Sequence, residues 1–124
     1  MSLSNSGIKA FLAVEAVIFA LAALAHAGIL LQGYEHWKAA TAEGVIAAVL
    51  ATGFLACLAR PPATRSIGIA VQGFALLGTI VGAAMIAIGI GPQSAADIGL
   101  HVIMLATLFT GLAAALRADG RPSS

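Results

Sequence analysis

Residues 67–90 read IGIAVQGFALLGTIVGAAMIAIGI, an apolar run of 24 positions without a charged side chain. At about 1.5 Å per residue, a helix of this length crosses the roughly 30 Å hydrocarbon core of a bilayer. Three more apolar stretches of comparable length occur in the chain, so the sequence predicts four membrane-spanning helices. The four stretches cover residues 8–31, 39–58, 67–90 and 98–116.

The composition of the whole chain agrees with lipid as its solvent. Hydrophobic residues make up 60% of the 124 positions and charged residues 9%, whereas about a quarter of a soluble domain is charged. The net charge of +1, without a basic cluster, argues against a nucleic-acid partner. A single cysteine, Cys57, excludes an intramolecular disulfide. We predict one all-α transmembrane domain over residues 1–124, with the lipid bilayer as partner and a homo-oligomer or larger membrane complex left open.

The positions of the basic residues predict the orientation of the bundle. With four spans, the N-terminus, the second loop and the C-terminus lie on one side, and only Lys38 lies on the other. A five-to-one bias indicates that both termini are cytoplasmic, and the short connections predict an up-down-up-down bundle. The chain is similar to many small bacterial four-span proteins, which implies the inner (plasma) membrane. The basic residues of the predicted inner side are Lys9, Arg60, Arg65, Arg117 and Arg121.

Three polar side chains fall at one depth near the predicted outer boundary. Helix rise places His26, Glu43 and His101 roughly 5–10 Å inside it, on three different helices. Ionisable groups at such depth are costly in lipid and mark candidate functional sites. Two imidazoles and a carboxylate suit a transition metal such as zinc, iron or copper, and b-type haem between the histidines is an alternative. In a purely structural alternative, Glu43 accepts hydrogen bonds from both histidines; Asp97 is expected just above this layer.

A second polar layer is predicted roughly 8–10 Å from the inner boundary, where Glu15 and Gln72 are candidate ligand-binding residues. Glu15 and His26 are eleven positions apart, about three helical turns, so they share one face of the first helix. That face should look into the bundle. Two interpretations of Glu15 stay open. It is either a neutral acid hydrogen-bonded to Gln72 or the proton-coupled carboxylate of a transporter.

The span count and the segment 12–17, centred on Glu15, resemble the small multidrug resistance transporters. The resemblance covers little else of the chain, whose third helix has no tryptophan. It implies a proton-coupled role for Glu15.

These patterns predict a small membrane protein that binds or passes a small ligand or a metal ion at the outer polar layer. The first alternative is a structural or accessory subunit of a membrane complex, in which the polar layers only fix helix packing. The second is a membrane enzyme or electron carrier that depends on a metal or on b-type haem. Gly78 and Gly82 form a Gly-x-x-x-Gly step, which predicts close helix packing inside the bundle or at a homodimer seam.

Overall fold

The computed structural model describes residues 4–118, and the elements in that range are helices. The long helices are α1 (Asn5–His26), α2 (Trp37–Ala59), α3 (Thr64–Ala87) and α4 (Ala95–Arg117), with a short 3-10 turn at Pro61–Ala63 before α3. All four are long and apolar enough to cross a membrane, with a mean hydropathy of 1.9 to 2.2 over 18 residues. The predicted all-α class is confirmed, and the four long apolar helices have the length and composition of an integral membrane protein.

Two helices end earlier than the apolar stretches predict, because glycines stop them. After His26, Gly28 adopts φ +75°, a left-handed conformation that glycine reaches without strain. The amides of Ile29 and Leu30 then bond back to the carbonyl of Leu24, at 3.0 and 3.2 Å, which closes α1. His26 therefore lies in the last turn of α1 rather than about 10 Å into a longer helix. In the same way, α3 ends before Gly89, at φ +85°.

The first turn of α4 is held by a capping box. The Ser94 hydroxyl accepts from the Asp97 amide at 3.1 Å, and the Asp97 carboxylate accepts from the Ser94 amide at 3.2 Å. Both bonds satisfy amides that a helix start leaves without partners. At the start of α2, His36 Nδ1 accepts from the Ala39 amide at 3.2 Å. These caps fix the backbone from which the polar side chains at this end of the bundle project.

The helices approach one another at glycines. A Cβ on Gly78 would lie 3.1 Å from Cδ1 of Ile46 in α2, and one on Gly82 would lie 3.6 Å from Nε2 of His101 in α4. The Gly-x-x-x-Gly step of α3 therefore faces the bundle interior. The buried core between the two polar layers is apolar and includes Phe19, Ala22, Ile46, Leu50, Met104 and Leu108.

At the end of the bundle opposite to His26, contacts between the interhelical connections and the helix ends stabilise the packing. The side-chain amide of Asn5 donates to the Pro61 carbonyl at 3.2 Å, and the Arg65 guanidinium donates to the Leu116 carbonyl at 3.0 Å. Helix α2 packs on α1 and α3, and α4 packs on α3 and α1. Cys57 is fully buried near this end of α2, within the hydrophobic core.

Candidate functional site

His26 joins three helices through both of its ring nitrogens. Its Nδ1 lies 2.7 Å from Oε2 of Glu43 in α2, and its Nε2 lies 2.8 Å from Oδ1 of Asp97 in α4. The three residues are 2%, 5% and 6% exposed, respectively. We call this set the carboxylate–histidine cluster. Helices α1, α2 and α4 are thus tied together at one buried imidazole.

The number of protons that the carboxylate–histidine cluster holds follows from its hydrogen bonds. A neutral imidazole carries one N–H, which supplies one of the two bonds. The second bond needs one more proton, either on the ring or on a carboxyl group. With both bonds formed and no further proton, the two carboxylates and the doubly protonated ring carry one net negative charge.

The two carboxylates differ in how completely they are hydrogen-bonded. Oδ2 of Asp97 accepts from both the amide and the hydroxyl of Ser94, so both of its oxygens have partners. Oε1 of Glu43 is buried and has no partner among residues 4–118. A buried carboxylate oxygen without a donor is costly. Glu43 is therefore where a hydrogen-bond donor from outside the chain would stabilise the cluster most.

A cavity of about 250 Å³ adjoins Glu43 and is lined from all four helices. On α3, Gly78 and Gly82 are among its lining residues. Apolar side chains make up most of its wall, and its polar lining comprises Glu43, Thr79 and His101 together with residues near the start of α2. The apolar lining includes Phe19, Ile46, Val81, Met85, Ile86 and Pro92.

His101 lines this cavity but does not hydrogen-bond to the cluster side chains. Its Nδ1 lies 2.8 Å from the carbonyl oxygen of Asp97, one helical turn earlier. A carbonyl only accepts, so Nδ1 carries the proton, and Nε2 of the neutral ring keeps a lone pair. The Nε2 atom lies beside Gly82. Asp97 and His101 lie one turn apart on α4, and the partner of His101 is the backbone of Asp97 rather than its carboxylate.

The structure brings together a different trio from the predicted metal ligands His26, Glu43 and His101. Asp97 takes the second nitrogen of His26, and Glu43 bonds to His26 rather than to both histidines. Over residues 4–118, no group of three or more His, Cys, Asp or Glu side chains is placed to hold a metal ion. His26 would have to give up a carboxylate to bind a metal or haem.

Asp97 is the residue that sequence reasoning missed. The signal for it is the pattern Ser94-x-x-Asp97, which is typical of a helix start. It places Asp97 in the first turn of α4, and the early end of α1 then brings His26 to the same level.

Glu15 and Gln72 are buried, at 1% and 0% exposure, and the structure brings them together against Gly111 of α4. A Cβ on Gly111 would collide with Oε1 of both side chains. The Gln72 side-chain amide donates to the Gly68 carbonyl at 3.2 Å, which fixes the direction of its oxygen. The two Glu15 oxygens and Gln72 Oε1 have no hydrogen-bond partner among residues 4–118. The two side chains thus lie at one level of the bundle, and the hydrogen bond of the first interpretation of Glu15 is not formed.

The two polar layers are separated along the buried face of α1. Phe19 and Ala22 occupy that face between Glu15 and His26, and they are 2% and 3% exposed. Phe19 also lines the cavity beside Glu43. The cavity therefore has an aromatic wall on the side that faces Glu15.

Comparison with known proteins found no matching family model, no matching curated protein and no matching solved structure. The resemblance to the small multidrug resistance transporters thus extends no further than the span count and the segment around Glu15.

Proposed function

We propose that this protein binds a small ligand in the cavity beside Glu43. The observation that carries the proposal is a cavity of about 250 Å³ lined by Glu43, a buried carboxylate with one oxygen that has no partner among residues 4–118. Binding sites for small molecules are typically apolar clefts with a few polar groups that orient the ligand. The cavity has this composition, and Glu43 of the carboxylate–histidine cluster forms part of its lining.

The proposal includes an orientation. The bundle runs up-down-up-down, both termini are cytoplasmic, and the cavity opens in the outer half of a bacterial plasma membrane. The five-to-one distribution of basic residues supports this orientation. Contacts between the end of α1 and the starts of α2 and α4, through His26, fit helices that alternate in direction. The Arg65 bond to the end of α4 fits the same arrangement at the other end.

Binding is favoured over passage because the polar groups do not form a continuous path. Phe19 and Ala22 lie between the outer cluster and Glu15 on the buried face of α1. An ion or polar solute moving between the layers would have to cross this apolar section, at a cost of several kcal/mol for an uncompensated charge. A small molecule is also favoured over a metal ion, because both ring nitrogens of His26 are already engaged.

The proposal is tested by a ligand screen that compares the wild-type protein with a variant whose cavity is blocked. Small molecules are screened for an increase in the thermal unfolding temperature of the detergent-purified protein, in parallel with Gly82→Leu, which fills the cavity. Genuine cavity ligands should stabilise the wild type and not this variant. Gly73→Leu is the matched control on the same helix, because a Cβ there meets nothing within 4 Å.

Gly82→Ala provides a milder block if Gly82→Leu does not fold. Its methyl group would make an ordinary contact with His101, at 3.6 Å from Nε2. If every stabilising compound acted equally on wild type, Gly73→Leu and the Gly82 variants, binding in this cavity would be refuted.

A structural subunit is the second candidate, and a specific observation favours it. Both nitrogens of His26 and both oxygens of Asp97 are satisfied within the chain. Such bonds hold helices together in lipid without any ligand. In that case mild solubilisation should recover the protein in a stoichiometric complex with other membrane proteins. The screen should then find no compound that depends on Gly82.

A further inference from the structure

We infer that the ligand of the outer cavity is a small organic amine, held as its ammonium by Glu43 and His101 with its hydrocarbon part against the apolar wall. This inference rests on the proposed function, because it names the chemical class of the ligand for the same cavity.

The polar groups in the deep part of the cavity all present lone pairs. Oε1 of Glu43 has no donor among residues 4–118, and in the His101 tautomer whose Nδ1 donates to the Asp97 carbonyl, Nε2 presents a lone pair. The hydroxyl of Thr79, 3% exposed, gives its proton to the Ala75 carbonyl at 2.7 Å. A ligand that hydrogen-bonds at this depth must therefore bring the protons, which selects a donor.

Hydrogen-bond donors occur instead at the mouth of the cavity. Lys38 is exposed in the first turn of α2, and His36 is half-buried at the start of that helix. His36 Nδ1 accepts from the Ala39 amide, so its neutral ring carries the proton on Nε2. The ion pairs of Glu43 and Asp97 within residues 4–118 are both with His26. An anionic ligand would find its partners at the mouth and repulsion from Glu43 inside.

The charge of the carboxylate–histidine cluster favours a cation over a neutral donor. With no further proton bound, one net negative charge remains after the two His26 bonds are formed, and the buried Oε1 of Glu43 is the cluster oxygen without a partner among residues 4–118. Charge interactions are stronger beside apolar walls than in water. An ammonium has three donors and no acceptor, which complements a carboxylate oxygen and an imidazole lone pair. The apolar walls, which include Ile46, Val81 and Met85, suit a hydrocarbon body.

Four probes with the same six-membered ring separate charge from hydrogen bonding. Binding of cyclohexylammonium, N,N,N-trimethylcyclohexylammonium, cyclohexanol and cyclohexanecarboxylate to the detergent-purified protein is measured by calorimetry at neutral pH. Cyclohexylammonium should bind most tightly. The trimethyl compound keeps the charge and loses the donors, so its Kd should be about tenfold higher, as expected for one charge-assisted hydrogen bond. The carboxylate should bind most weakly.

Two variants connect the preference to the named side chains. Glu43→Gln should lower the affinity for cyclohexylammonium by about tenfold or more and reduce its advantage over cyclohexanol. His101→Phe leaves His26, Glu43 and Asp97 in place and removes the Nε2 lone pair. It keeps the inference testable if Glu43→Gln does not fold. Glu35→Gln is the control, because Glu35 is exposed and its carboxylate accepts from the Gly33 amide in the loop.

The outcomes distinguish this inference from the proposed function. A Gly82-dependent preference for cyclohexanol or cyclohexanecarboxylate would overturn the amine assignment and leave ligand binding standing. The same holds if none of the four probes binds while the screen finds cavity ligands of another class. Cyclohexylammonium binding that neither Glu43→Gln nor His101→Phe weakens would also overturn it. If no compound of any class depends on Gly82, the proposed function itself fails.

Discussion

His26 is the residue at which burial, charge and helix contacts coincide. Its imidazole is 2% exposed and lies between two carboxylates from two other helices. Each bond is charge-assisted, and such bonds contribute more than neutral ones. Removing the ring would leave Glu43 and Asp97 buried, close together and without the proton donor between them. Loss of one partner from a buried charged group costs more than the pair contributes.

Replacing His26 by Ala should therefore lower the free energy of unfolding by about 3–5 kcal/mol. Reversible unfolding in mixed micelles measures the effect. His36→Ala is the comparison, because His36 is half-buried and its side chain only caps α2; loss of a cap costs about 0.5–2 kcal/mol. Equal losses for the two variants would contradict the importance given to the carboxylate–histidine cluster.

Gly111 of α4 lies where there is no space for a larger side chain. A methyl group there would lie 2.7 Å from Cδ1 of Phe11 and 2.8 Å from Oε1 of Glu15, and it would overlap Oε1 of Gln72. Gly111→Ala should destabilise the protein by about 1–3 kcal/mol, the usual cost of overpacking. The measurement is the same micellar unfolding assay.

Gly99→Ala supplies the matched change on the same helix. A Cβ at Gly99 meets nothing within 4 Å, and alanine favours a helix over glycine by about 0.5–1 kcal/mol. The two variants should thus shift stability in opposite directions. A neutral Gly111→Ala would show that Glu15 and Gln72 do not pack against α4 as described.

At the scale of a helix, the start of α4 links a local cap to the buried cluster. Ser94 accepts from the Asp97 amide and donates to the same carboxylate that holds His26. The cap therefore orients Asp97 as well as closing the first turn. The start of α1 has a comparable serine, Ser4, which accepts from the Gly7 amide at 3.2 Å but has no contact with the cluster.

Ser94→Ala and Ser4→Ala should consequently differ. Each loses a cap worth about 0.5–2 kcal/mol, but only Ser94→Ala also releases the Asp97 carboxylate. Double-mutant cycles with His26→Ala measure this coupling. We expect an interaction energy of about 0.5–3 kcal/mol for Ser94 with His26, as for residues of one hydrogen-bond network, and additivity for Ser4. Additivity at both sites would show that the cap does not orient Asp97.

At the scale of the whole molecule, the orientation in the membrane decides whether the cavity faces the outside. The proposed orientation can be tested in intact cells with a membrane-impermeant maleimide, after the single cysteine is removed by Cys57→Ala. Gln32→Cys, in the exposed first loop, should label without permeabilisation. Pro62→Cys, exposed between α2 and α3, should label only after it. The reverse pattern would place the cavity on the cytoplasmic side and contradict the positive-inside assignment.

Much of the bundle could be predicted from the sequence because lipid imposes a simple condition. A span must be long and apolar, and residues 67–90 meet it without ambiguity. The burial of Glu15, His26 and Glu43 was predictable for the same reason, since a polar side chain in an apolar stretch avoids lipid. The residue at which α1 ends was harder to predict, because Ile29 and Leu31 continue the apolar run past Gly28, which stops the helix.

The sequence by itself determined that lipid is the solvent, that there are four long helices and which polar residues lie within them. The reason is that the free energy of transferring each side chain from water to lipid adds along a segment, regardless of its neighbours in space. The tertiary structure decided the partners. Asp97 rather than His101 completes the set around His26, and within that set Oε1 of Glu43 is the oxygen without a partner among residues 4–118. Hydrogen bonds form only within about 3 Å and over a limited range of angles. They therefore depend on the end and rotation of each helix, which hydropathy does not specify.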